Sequence, residues 1–273
     1  MRFSFLTLAL LILVSSAYAN SVYYPRRSGC HDIGDSRLYG GGQAYYYHLR
    51  ITDDKAVPAT ATPHPFTGWL GGFILGYEYK KPNSLYAVLQ TSYALGSIES
   101  HDTGNKKRFI HDEIVETRIG YDGALTRDFS CFMTVYTGAG FRWNIQHRNS
   151  GTLEELKLNY YKVYIPLGLL INYIPDKTVN IGLDFEWIPD VLSMASISTL
   201  SGAFWELKRK NNYLVQLPCM FTFARRYELS ITPFWMHFEE GASLTVTDAG
   251  VDLELEKQQT NDWGGRVSLG VYF

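Results

Sequence analysis

The chain has 273 residues and a formal net charge of -2, with 19% charged and 15% aromatic residues, 20 Tyr and 24 Gly. This balance supports neither a basic nucleic-acid surface nor an acidic tail, and the length suits one large domain. Mean hydropathy is -0.13 with a single long apolar run, which fits a β domain with one greasy and one wet face, either a membrane barrel or a secreted sandwich.

The chain opens with Arg2, the apolar run Phe3–Val14, and then Ser15-Ser16-Ala17-Tyr18-Ala19. A charged start, a short apolar stretch and an Ala-x-Ala site predict a signal peptide over 1–19, cleaved before Asn20. The run is too short for a membrane helix, which needs about 20 apolar residues. No Cys follows the site, so no lipid anchor is expected. Residues 20–36 are read as a periplasmic N-terminal segment.

From residue 37 the pattern alternates with period two, the mark of strands with unlike faces. Ten segments of membrane length are predicted: 37–51, 66–80, 84–97, 109–121, 128–146, 156–173, 179–190, 212–225, 227–238 and 260–273. A membrane strand needs about 9–11 residues. The connections alternate too. Those near Pro82, Asp122–Thr126, Asp176 and Arg225-Arg226 are short; 52–65, 98–108, 147–155, 191–211 and 239–259 are longer. Short periplasmic turns and longer extracellular loops give this rhythm, and chain ends on one side require an even count.

The first segment, Tyr39–His48, has aromatic residues of both parities, so its faces stay unassigned. Its glycine run opens no helix and lacks the Lys-Ser/Thr of a phosphate loop. In the later segments the apolar rows are continuous: Tyr161 to Tyr173 in the sixth, Val179 to Trp187 in the seventh, Tyr213 to Phe223 in the eighth. With these rows outward, Trp69, Trp143, Trp187, Trp235 and Trp263 all fall at the loop ends of their strands. Tyr79, Tyr121, Phe129, Tyr173, Tyr227 and Phe273 fall at the opposite ends. A sandwich has no reason to sort Trp to one end, whereas two aromatic girdles suit the two headgroup layers of a bilayer.

The inward face then carries Glu78, Glu116, Arg118, Arg142, Lys162, Asp184, Glu186, Glu228 and Arg266. A charge facing lipid costs roughly 2–4 kcal/mol near the midplane, so an inward placement is expected. Near-balanced charges in a narrow bore can pair into a plug or line a thin wet path. Inward glycines such as Gly76, Gly140 and Gly168 suggest free space in that bore, or relief of crowding.

Little else points to chemistry. Cys30, Cys131 and Cys219 are odd in number and give no complete disulfide framework. His101, Asp102, His111, Asp112, Glu113, His237, Glu239 and Glu240 are candidate rim groups for a water-activating His–acid couple. No Ser is placed beside a His for a lipid hydrolase, and the His and Asp spacings are not those of a metal site. No catalytic residue, metal or cofactor is assigned. The predicted loop 191–211 holds Leu192, Met194, Ile197, Phe204 and Trp205 before Lys208-Arg209-Lys210. It either folds over the barrel mouth or anchors a surface partner.

The last segment runs Trp263-Gly-Gly-Arg-Val-Ser-Leu-Gly-Val-Tyr-Phe273, apolar on one face and ending in Phe. This resembles the closing strand of the bacterial outer-membrane β-barrels. The resemblance covers roughly 37–273 and implies an all-β, antiparallel up-and-down transmembrane barrel of a didermic bacterium. Its partners would be outer-membrane lipid and an assembly machinery that reads the strand ending in Phe273. The function expected first is a small porin-like channel for small solutes or ions; a non-conducting structural or adhesion barrel is the alternative. Ten strands also resemble the omptins, outer-membrane proteases with acids and an Asp–His couple at the rim. No omptin motif can be matched residue by residue, so an omptin-like protease is the remote alternative.

Overall fold

Alternation with period two folds as strand because successive side chains leave opposite faces. A sheet in lipid must pair every backbone N–H and C=O, which only closure achieves. The computed structural model describes residues 36–52, 65–100, 106–128, 130–150, 153–176, 178–197, 204–224, 226–243, 246–248, 251–253 and 255–273. The predicted signal peptide, nearly all of the segment 20–36, and Phe129 lie outside them.

The barrel has ten antiparallel staves. Eight are single strands: β1 (Ser36–Thr52), β2 (Pro65–Lys80), β3 (Ser84–Ser100), β4 (Lys106–Ala124), β5 (Cys131–Ser150), β8 (Val179–Ile197), β12 (Tyr227–Glu240) and β15 (Lys257–Tyr272). Two are interrupted. β6 (Leu153–Tyr164) and β7 (Leu167–Tyr173) are separated by Ile165-Pro166, and β10 (Asn211–Gln216) and β11 (Cys219–Phe223) by Leu217-Pro218. Proline offers no N–H to a ladder, so the strand breaks there while the stave continues. β15 closes the barrel: Trp263 pairs with Tyr46 of β1 on one side and Trp235 of β12 on the other. Three short strands are extra. β9 (Phe204–Glu206) pairs with the end of β8, and β13 (Val246–Asp248) pairs with β14 (Val251–Leu253). Among the described residues there is no helix. The expected all-β barrel of ten staves is the fold.

Staves join by short turns at one end. Asn83 takes φ 53°, a left-handed conformation that Asn tolerates, and its Oδ1 accepts the Ala124 N–H at 2.9 Å. In the next turn the hydroxyls of Thr126 and Ser130 hold the Asp128 carboxyl below its usual range. We call this the turn end and the opposite one the loop end.

Strands run further toward the loop end than their alternation predicts. β4 has 19 residues and β5 has 20, about twice what a bilayer needs. The outward face explains the excess. On β15 it reads Trp263, Gly265, Val267, Leu269, Val271 from the loop end down, and Asn261, Gln259, Lys257 above Trp263. On β12, His237 and Glu239 stand above Trp235. Below the tryptophans the outward wall is apolar; above them it turns mostly polar, and the ends of β4 and β5, Lys106-Lys107-Arg108 and His147-Arg148, are polar at every position, so a sequence reading takes them for loop.

The predicted loop 191–211 is thereby corrected. β8 continues to Ile197, and β9 returns along Met194–Ser196. The register shifts here: Val163 pairs with Leu192, but Tyr164 pairs with Asp190. This bulge at Val191 flips the parity, so Ile188 and Asp190 face in before it and Ser193 and Ala195 after it. Trp205 is buried against Leu158, Tyr160, Ala195 and Leu207, while Phe204 stays exposed.

Candidate functional site in the lumen

The lumen is filled by ion-paired layers. Nearest the turn end, the Arg37 guanidinium donates to both Glu78 and Glu228, and the Tyr272 hydroxyl also donates to Glu228. The Arg37 guanidinium lies over the Tyr39 ring at 4.8 Å. To one side, Asp122 accepts from Thr134 at 2.5 Å and pairs with Lys80 at 3.4 Å.

The second layer centres on Arg118. Its guanidinium meets Glu116 at 2.5 Å, Asp184 at 3.0 Å and Glu186 at 2.6 Å, and covers the Tyr136 ring at 4.7 Å. Tyr136 donates to Asp184 at 2.6 Å, and Tyr164 to Glu116 at 2.9 Å. Arg266 meets no carboxylate in this layer. It donates to Gln216 and Gln43, and Gln216 donates on to Asp184.

Two more layers lie toward the loop end. Arg142 grips Asp112 with two N–H groups, at 2.7 and 3.1 Å, while Tyr45 and Asn144 donate to the same carboxylate. Lys162 reaches Asp190 and Glu240, each at 3.3 Å, and donates to the Glu239 carbonyl at 2.9 Å. The apolar group of Tyr45, Tyr47, Leu49, Phe66, Leu70, Phe234, Met236 and Phe238 fills the space around them. Arg37, Arg118 and Lys162 each meet at least two carboxylates, so acids outnumber bases. Among the described residues, one oxygen of Glu186 and one of Asp262 in these layers have no hydrogen-bond partner.

All nine charged residues read as inward sit in this network, with Glu78 and Arg266 partly buried and the other seven fully so. The reading missed Arg37, Asp112, Asp190, Glu240 and Asp262. It also left open Tyr45 and Tyr47, which face in, and Tyr46, which faces out. The glycines do not leave space. A Cβ at Gly76 would lie 2.3 Å from the Tyr39 ring, at Gly140 2.1 Å from Tyr164, and at Gly168 2.0 Å from Tyr136. Each is a direct cross-strand pair, so a tyrosine lies flat over the glycine opposite. One cavity of about 20 Å³, lined by Gln90, Ser92, Glu116, Tyr164, Arg266 and apolar neighbours, has room for about one water.

The girdle residues lie on the outer wall. Trp69, Trp187, Trp263, Tyr121, Tyr173, Tyr227 and Phe273 are exposed; Trp143, Trp235 and Tyr79 are partly covered. Trp69, Tyr46, Trp263 and Trp235 lie directly opposite one another across four adjacent staves.

The candidate His–acid couples do not assemble. His111 faces out, with Nδ1 2.8 Å from the Tyr93 hydroxyl, whereas Asp112 faces in on Arg142. His237 meets Asn261 at 2.9 Å, and Glu239 is held by Lys210 and Lys257. Glu240 belongs to Lys162 inside. His101 and Asp102 lie outside the described residues. Among the described residues no cluster of three or more His, Cys, Asp or Glu is arranged for a metal.

The closed antiparallel barrel has counterparts among solved structures. The outer membrane protease OmpT of Escherichia coli aligns with TM-score 0.58 at 10% identity, over 91% of this chain and 99% of that one. The fold is that of a bacterial outer-membrane β-barrel. The transport unit of the autotransporter AIDA-I from Escherichia coli aligns with TM-score 0.51 at 12% identity, over 98% and 97%. No protein-family model matches the chain, and no curated protein matches it in sequence. A protease and a transport unit on one architecture leave function to be argued from side chains.

Proposed function

We propose that this outer-membrane barrel is a surface-exposed structural or adhesion protein whose lumen is held shut. One observation carries the reading: ion-paired layers and tyrosines stacked over glycines fill the bore from Arg37 to Lys162. The cavity between these layers, about 20 Å³, has room for about one water. The loop end is taken as extracellular, following the short-turn and long-loop rhythm. It presents a polar wall above the tryptophans and the exposed Phe204 beside exposed Lys208 and Arg209, a combination suited to a protein partner.

The porin-like channel is the second reading, favoured by the polar, charged character of the same bore. Planar-bilayer recording on the refolded protein separates the two. Wild type is expected to be silent, and Arg118→Ala, which frees three carboxylates in the bore, to give small cation-selective steps. Discrete wild-type steps would overturn the closed barrel and favour the porin. The protease reading draws support from the shared architecture alone, because His111 and Asp112 point to opposite faces of β4.

A further inference from the structure

The outer wall just above the tryptophan row carries a concentration of cations on β1, β15 and the segment leading into β10, gathered around Glu239 of β12. Arg50, Gln259 and Glu239 lie opposite one another across β1, β15 and β12. The Lys210 and Lys257 ammonium groups both sit 2.8 Å from the same Glu239 oxygen, and Gln259 donates to its other oxygen at 3.3 Å. One carboxylate thus holds two ammonium groups side by side, and exposed Arg50 adds a third cation in the same row.

One step down stand His48 and His237. His237 Nδ1 meets Asn261 at 2.9 Å, and its ring stacks on Trp235 at 6.2 Å and faces Tyr213 at 6.4 Å. Below that lies the row Trp235–Trp263–Tyr46–Trp69, with ring centroids 5.9 Å apart for the tryptophan pair and 5.7 Å for Tyr46 and Trp69. Such a row marks the headgroup layer, because Trp and Tyr have an apolar body and a polar tip. A cationic patch one or two residues above it therefore stands at the height of lipid phosphates. With three bases against one acid, its net charge is positive even when both histidines are neutral.

We propose that this patch binds the phosphate of an outer-leaflet lipid, with Arg50, Lys210 and Lys257 as the anion-holding groups and Glu239 as the residue that positions both lysines. The proposal rests on the outer-membrane reading and on the loop end facing outward. The acyl chains of such a lipid run down the apolar wall below Trp263 and Trp235. A second cluster, His111 and His147 on the far wall, is flanked by Lys107 and Lys157 but also by Glu99 and Glu113, so it carries no net charge there.

The probe is diphosphoryl lipid A, with its dephosphorylated form as control, added to the folded full-length protein in a phosphate-free detergent and read by native mass spectrometry. Each cation near an anionic headgroup contributes about fivefold. The Arg50→Gln, Lys210→Gln, Lys257→Gln triple variant is expected to lose the phosphorylated adduct by at least tenfold. Lys107→Gln with Lys157→Gln is expected to retain it. Equal adducts in wild type and triple variant, or equal binding of the dephosphorylated lipid, would overturn the proposal. Heat-modifiable migration of each sample reports the barrel separately; its absence in wild type counts against the outer-membrane reading instead. If only the triple variant fails to fold, Arg50→Gln alone, outside the Glu239 cluster, is expected to lose about fivefold, and no loss there overturns the site.

Discussion

At the scale of single residues, the lumen is governed by the cost of burying charge. Three carboxylates converge on Arg118, and their desolvation is offset only while that guanidinium is present. Arg118→Ala is expected to lower folding stability by about 3–5 kcal/mol, the usual loss when one partner of a buried pair is removed. The urea midpoint of the refolded barrel measures it, provided the m-value is unchanged; an unshifted midpoint would mean the layer is hydrated. The tyrosine–glycine pairs make a steric prediction. A Cβ at Gly168 would fall 2.0 Å from the Tyr136 ring. Gly168→Val should therefore lower the melting temperature, at a cost of about 1–3 kcal/mol from overpacking. Combined with Tyr136→Ala, it should cost less than the two singles added, because they contest one volume. Strict additivity would show that the ring does not lie over the glycine.

At the scale of the strand, β15 crosses two environments on one face. Leu269 is 62% exposed inside the apolar belt, and Gln259 lies above Trp263. Leu269→Arg is expected to destabilise the vesicle-inserted barrel by about 2–4 kcal/mol, and Gln259→Arg by almost nothing. Equal costs in denaturant titrations would mean that the tryptophans do not mark the edge of the bilayer. The same boundary set what the sequence could reveal. Between the tryptophans and the turn end, apolar-out alternation made strand, face and register readable, as in Val179–Trp187. Above the tryptophans the outward apolar row gives out, and Lys106-Lys107-Arg108 and His147-Arg148 are polar at every position, so the outer parts of β4 and β5 read as loop. At β8 the bulge at Val191 reversed the parity and hid the strand's last turn of alternation. The network was half legible for a related reason. Glu116, Arg118 and Glu186 stand out as charges inside apolar rows. Asp112 and Asp262 lie where the outward neighbours, His111 and Asn261, are polar too, and parity alone gives them no contrast. Tyr45, Tyr46 and Tyr47 are identical in type, so nothing in their order told which ring packs inside.

At the scale of the whole molecule, which leaflet and which compartment each rim meets depends on which end faces outward. The turn end has connectors of a few residues with Asn83 and Asp176 at their tips, and the loop end carries Arg209 beside β9. In a background with Cys30, Cys131 and Cys219 replaced by Ser, Arg209→Cys is expected to react with an impermeant maleimide on intact cells. Asn83→Cys and Asp176→Cys are expected to react only after the outer membrane is permeabilised. Reversed labelling would turn the barrel over. The patch of Arg50, Lys210 and Lys257 would then face the inner leaflet, and the exposed Phe204 would lie where no surface partner reaches it. Orientation therefore couples the proposed function to the proposed lipid contact, whereas the closed lumen is independent of it, since its ion pairs span the bore whichever end is up.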